Sequence, residues 1–142
     1  MNKYLRGEKL SAFDDLEVIR SDITNISTAI PKLPKWDEVV YRGMDTERFS
    51  SVDELNQFFQ EMSNNSLVTM PAFTSTSINR EVAERFSKGR IIFKIKSRRG
   101  VYLGKFSSAG GESEILFDKQ SIFKIVNVQQ EGFTGLIELE EL

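Results

Sequence analysis

Gly110-Gly111-Glu112-Ser113-Glu114-Ile115-Leu116-Phe117 sets two carboxylates one residue apart, behind a glycine-rich loop and ahead of an apolar run. In an extended strand residues i and i+2 share a face, so Glu112 and Glu114 point into the same space. Two like charges held together cost free energy unless a cation, a proton or hydrogen-bond donors relieve them, which makes the pair a candidate site. Spacing alone favours the plainer reading, two solvated glutamates at a strand end.

Working outward, Leu67 to Met70, Ala72 to Ser75, Ile91 to Lys96, Val101 to Leu103, Glu114 to Phe117, Ile122 to Val128 and Leu136 to Leu139 read as strands, with Val39 to Arg42 an earlier one. Gly100, Gly104, Gly110, Gly111, Gly132 and Gly135 punctuate them. The first half is helical in pattern. Phe13, Leu16, Ile19, Ile23, Ile26 and Ile30 recur at three- and four-residue intervals, Ser11 with Asp14 is a capping signal, and Pro31 and Pro34 end the run. A second helix follows Ser51, with Glu54 three residues on, Leu55, Phe58, Phe59 and Met62 on its apolar side, and Ser63 to Ser66 closing it. A third, from Glu81 to Ser87, buries Val82, Ala83 and Phe86. The pattern is α+β: one domain over residues 1–142, with an N-terminal helical lobe followed by a mostly antiparallel β lobe.

The chain has 142 residues, 39% of them hydrophobic and 28% charged, with a net charge of −2. Such a composition folds as a globular domain with its own core and lacks a broad electrostatic grip on nucleic acid. No segment is long and apolar enough to span a membrane, and Met1 to Arg6 does not lead into the core of a signal peptide. There is no cysteine and no histidine. That removes thiol nucleophiles, Ser-His and Cys-His pairs, disulfides and His- or Cys-ligated metals, and no calcium-loop spacing is present, so no metal is expected. Catalysis is left to carboxylates, hydroxyls, arginine and aromatics.

Two further motifs stand apart from the paired glutamates. Tyr41-Arg42-Gly43 ends the first strand; its arginine could pair a surface carboxylate, or its planar fork could grip a diphosphate. Phe73-Thr74-Ser75-Thr76-Ser77 is either a polar-faced strand or a hydroxyl set beneath a carboxylate.

In that order and in a chain of this length, the three motifs resemble the bacterial-toxin-like mono-ADP-ribosyltransferases of the arginine, serine, glutamate class. The resemblance implies their fold, with the helical lobe packed on a two-sheet β core around an NAD cleft. It implies NAD as co-substrate and transfer of ADP-ribose to an arginine of a target protein, with nicotinamide released. By the same resemblance Glu114 is the catalytic glutamate on the ribosyl cation, Ser75 orients it, Arg42 binds the NAD phosphates with Gly43 beside it, and Thr76, counted with the cofactor-binding residues, supports the strand. Glu112 marks arginine as the acceptor. A guanidinium with pKa above about 12 is a poor nucleophile until a nearby base takes its proton, which agrees with that assignment.

Ile78 to Arg90 corresponds to the family's loop over phosphates and nicotinamide, with Phe86 stacking on the nicotinamide or packing in the core, and Arg90 a second phosphate ligand. Phe106, in the loop from Gly104 to Gly111, is either an anchor for the substrate protein or a buried strand-end residue. Ala72 stands where related enzymes often carry an asparagine contacting NAD, and Gly43 where some carry a second arginine. The resemblance further implies a toxin, secreted effector or phage enzyme acting in the cytosol of a target cell, with an immunity or delivery partner. Two other activities are left open: NAD hydrolysis, and a binding module without catalysis.

Overall fold

The computed structural model describes residues 25–88, 90–103 and 114–142. Within them run nine strands: β1 Lys35–Trp36, β2 Val39–Met44, β3 Leu67–Met70, β4 Thr74–Ser77, β5 Ile91–Lys96, β6 Gly100–Tyr102, β7 Glu114–Phe117, β8 Ser121–Glu131 and β9 Thr134–Glu141. The spatial order is β1-β6-β7-β4-β2-β5-β9-β8-β3. All neighbours are antiparallel except β5 and β9, which run parallel from Ile91↔Gly135 to Lys96↔Glu140.

The resemblance implies two sheets, whereas the strands form one hydrogen-bonded array of nine. The physical reason is narrow: β2 and β4 meet at the single register pair Tyr41↔Ser77, which joins β1-β6-β7-β4 to β2-β5-β9-β8-β3. Other differences concern strand limits. The strand expected over Ala72 to Ser75 lies at Thr74–Ser77, because its register is set by β7, where Thr74 faces Phe117 and Thr76 faces Ile115. Ile115 and Phe117 are fully buried, and a shift of one residue would turn them outward. β8 extends through Gln129, Gln130 and Glu131, whose backbones pair with β9 although their side chains are polar and exposed. The two-residue β1 escapes an apolar pattern altogether.

Helix α1, Val52–Asn64, forms as its sequence directs. Ser51 Oγ caps the Glu54 N–H at 3.2 Å, and Glu54 reaches back to the N–H and hydroxyl of Ser50. Its buried stripe of Leu55, Phe59 and Met62 packs with Val40, Phe93, Ile95, Phe123 and Leu139. Phe117 meets Phe123 edge-to-face at 5.1 Å. Burying one such ring contributes about 2 to 3 kcal/mol, and the sheet makes room for Phe59 by leaving no side chain at Gly135, where a Cβ would stand 2.3 Å from that ring.

Helix α2, Arg80–Ser87, is capped by Asn79 Oδ1 on the Glu81 N–H at 3.0 Å. It buries Ala83; Val82 is half-buried, and the Phe86 side chain lies outside the described residues. The expected first helix falls largely on residues 1–24, also outside them. Residues 25–29 are helical, and a 3-10 turn over Ile30–Lys32 follows, with Pro31 in its first turn. Ile30 is buried against Phe73 and Val101.

Candidate active site

Strand alternation decides which side chains meet. On β4, Ser75 is exposed while Thr74 and Thr76 are buried. On the adjoining β7, Ile115 and Phe117 are buried, which turns Glu114 to the side of Ser75. Ser77 faces Glu114 in register, so Ser75 is its diagonal neighbour, and Ser75 Oγ donates to Glu114 Oε2 at 3.4 Å. On β2, Val40 enters the core and Arg42 follows two residues on, along the same face. Arg42 Nη1 donates to the backbone oxygen of Ser75 at 2.8 Å. Arg42, Ser75 and Glu114 are thereby joined, although 72 positions separate the first from the last.

Arg42 and Ser75 line a cleft of about 480 Å³. Its remaining wall is largely apolar and includes Phe49, Phe58, Met62, Met70 and Phe93, with the buried Ala72 also in the lining. Glu114 is not in that lining; Ser75 Oγ connects it. Phe58 and Met62 belong to the apolar side of α1 recognised in the sequence, but their exposure to a cleft follows only from how α1 crosses the sheet. Phe49, its ring tilted against that of Phe58 at 5.2 Å between centroids, carried no local signal.

The other candidates fall elsewhere. Thr76 points into the protein, 5% exposed, and donates to Ile115 O at 2.8 Å, so it ties β4 to β7 and does not face the cleft. Gly43 borders the cleft, but its place is governed by α2: a Cβ there would stand 2.0 Å from the Ala83 carbonyl oxygen and 2.9 Å from Ser87. A side chain at this position has no room. Arg90 lines two other clefts, one with Arg80 and Gln129, the other with Lys88 and Phe133. Segment 78–90 is α2 and its flanks, and none of its described side chains lines the Arg42 cleft. Glu112 and Phe106 lie outside the described residues.

Electrostatics around the far end of β2 are set by one ion cluster. Lys88 Nζ lies 2.7 Å from Glu47 Oε1 and 3.4 Å from Asp45 Oδ2, joining the C-terminus of α2 to the 3-10 turn Thr46–Arg48. The hydrogen bond to Glu47 and the charge of Asp45 raise the Lys88 ammonium above its ordinary value. Asp45 is held low, first by the Glu47 N–H and then by Lys88. Among the described residues no group of three acidic side chains could hold a metal ion, and no helix is long and apolar enough to cross a membrane.

A family model described as ADP-ribosyltransferase exoenzyme matches residues 1–138. The chain belongs to that family. Among the chain's relatives is Vis, an ADP-ribosyltransferase of Vibrio splendidus, 29% identical over 140 residues that cover 91% of this chain and 53% of Vis. NAD(+)–arginine ADP-ribosyltransferase EFV of Enterococcus faecalis is 33% identical over 129 residues, covering 84% of this chain and 24% of EFV. The chain thus spans about half the length of Vis and a quarter of EFV. The crystal structure of Vis in complex with agmatine superposes with a TM-score of 0.76 at 26% identity, over 99% of this chain and 66% of that one. HopU1, an ADP-ribosyltransferase of Pseudomonas syringae pv. Tomato DC3000, gives 0.77 at 25% identity, over 99% and 63%. The ADP-ribosyltransferase fold expected from the three motifs is the fold the chain has.

Proposed function

We propose that this chain transfers ADP-ribose from NAD to an arginine side chain of a target protein and releases nicotinamide. The observation that carries the reading is the linkage of Arg42, Ser75 and Glu114 beside one cleft. It supports a division in which Arg42 holds the NAD diphosphate with its bidentate fork and Glu114 faces the nicotinamide ribose. The bond from ribose C1′ to the nicotinamide nitrogen breaks with its electron pair leaving on nicotinamide, and the ribosyl cation that develops is stabilised by the Glu114 carboxylate. An arginine nitrogen then forms the new bond to C1′, and Glu112, two residues before Glu114, takes its proton.

The choice of arginine is supported by Glu112 and by the relatives, one named for NAD and arginine and one crystallised with agmatine, a guanidine. A toxin or effector acting inside a target cell fits the same kinship. The test supplies labelled NAD with agmatine and, separately, with a cell lysate. ADP-ribosyl-agmatine and labelled protein that loses its label on arginine-directed release are the expected products. Free ADP-ribose as the sole product would replace the reading with NAD hydrolysis; no consumption of NAD would remove it.

A further inference from the structure

The chain has four methionines; Met1 lies outside the described residues, and the other three all line the cleft beside Arg42 and Ser75. They reach it from three different elements. Met44 follows Arg42 two residues on along β2 and so shares its face, Met70 shares a face of β3 with Val68, and Met62 belongs to the buried stripe of α1. Their burial differs. Met62 is 8% exposed and part of the core, whereas Met44 and Met70 are half-buried, packing against that core while lining the cleft. With no cysteine in the chain, thioether sulfur is its most readily oxidised group.

We infer that Met44 and Met70 form a reversible oxidation site that regulates the cleft, with hydrogen peroxide as the oxidant. In the step, a thioether lone pair attacks one peroxide oxygen. The S–O bond forms, the O–O bond breaks, and the departing oxygen leaves as water with the proton of the oxygen transferred. Sulfur loses two electrons and peroxide gains them. The product, methionine sulfoxide, replaces a flexible apolar side chain by a polar one. Phe49, Phe58 and Phe93 in the same wall offer the new oxygen no hydrogen-bond donor, so burying it costs free energy and it turns into the cleft. The effect on NAD rests on the proposed NAD chemistry; the oxidation itself does not.

The test treats the unaltered protein with hydrogen peroxide and maps the added oxygen by mass spectrometry. Met44 and Met70 should be oxidised ahead of Met62. KM for NAD should rise about fivefold or more, since a polar oxygen now stands in an apolar wall. Methionine sulfoxide reductases A and B, supplied with dithiothreitol, should return KM to its starting value. Met44 and Met70 left unmodified at a dose that converts free methionine completely would overturn the site, as would a raised KM that the reductases do not reverse. An unchanged KM with both residues oxidised overturns the regulation. The double variant Met44→Leu, Met70→Leu nearly conserves volume and removes the sulfur. It is compared with itself before and after peroxide, and its KM should hold; a rise equal to that of the unaltered protein overturns the proposal. Should that variant fail to fold, oxidation and reductase reversal in the unaltered protein decide. If the unaltered protein cleaves no NAD, the functional reading fails, and the mass map with its reversal by the reductases alone decides the oxidation site.

Discussion

Ser75 and Glu114 stand diagonally across the β4–β7 ladder, the hydroxyl 3.4 Å from the carboxylate. The distance is long for an O–H···O⁻ bond, which usually closes to about 2.6 Å, and it leaves the pair room to tighten around a substrate. Ser75→Ala should therefore lower kcat for nicotinamide release roughly five- to tenfold, the worth of about 1 kcal/mol of hydrogen bonding. Stability in urea should stay unchanged, since the side chain is exposed. A kcat equal to that of the unaltered protein would show that this hydroxyl does not orient Glu114.

Glu114→Gln keeps shape and removes charge. Loss of one preorganised electrostatic partner of the developing cation is expected to reduce kcat by about 10² to 10³. The measurement is nicotinamide release at saturating NAD, and an effect under threefold would take Glu114 out of the chemistry.

Glu112→Gln should divide the two half-reactions. Transfer to agmatine or protein arginine is expected to fall at least a hundredfold, within the usual range for loss of a general base. NAD hydrolysis should keep much of its rate, because water needs less help than a guanidinium to give up a proton. Parallel loss of both activities would contradict separate roles for the two glutamates.

Gly43→Ala tests how tightly α2 is seated. The added methyl would meet the Ala83 carbonyl and Ser87, both parts of a packed helix that cannot yield cheaply. Overpacking of this kind costs about 3 kcal/mol or more when backbone must move. A urea midpoint unchanged from the parent would show that α2 is free to lift.

Acid stability should depend on Glu54. The Ser50 hydroxyl at 2.7 Å and the Ser50 N–H hold its carboxyl below the ordinary value of 4.5. An unfolded chain takes up the proton first, so this contribution is complete above about pH 4.5 and is lost as pH falls through the lowered folded value. Urea midpoints measured from pH 6 down to pH 3 should fall less steeply for Glu54→Gln than for the parent. Identical slopes would mean that the cap does not hold in solution.

Much of this was legible in the residues themselves. α1 follows from the Ser51 cap and the Leu55, Phe59, Met62 stripe, and β3, β5 and β7 begin and end where their apolar runs do, because local periodicity and burial coincide there. Thr76, counted with the cofactor-binding residues, is buried against β7, which its own Thr-Ser-Thr-Ser run could not show for want of apolar alternation; buried Ile115 and Phe117 on the neighbouring strand reveal its faces. Arg90 sits after α2 as read, but its direction depends on how α2 docks.

By itself, the sequence determined the α+β pattern, the absence of histidine and cysteine chemistry, and the three motifs whose order marks the family, all of which live in residue type and short spacing. Only the tertiary structure decided that Arg42, Ser75 and Glu114 are one linked site, that the sheet is continuous through Tyr41 and Ser77, and that Gly43 answers to a helix. Those relations depend on strand order and register, which are fixed by side chains packing across the core from positions far apart in the chain.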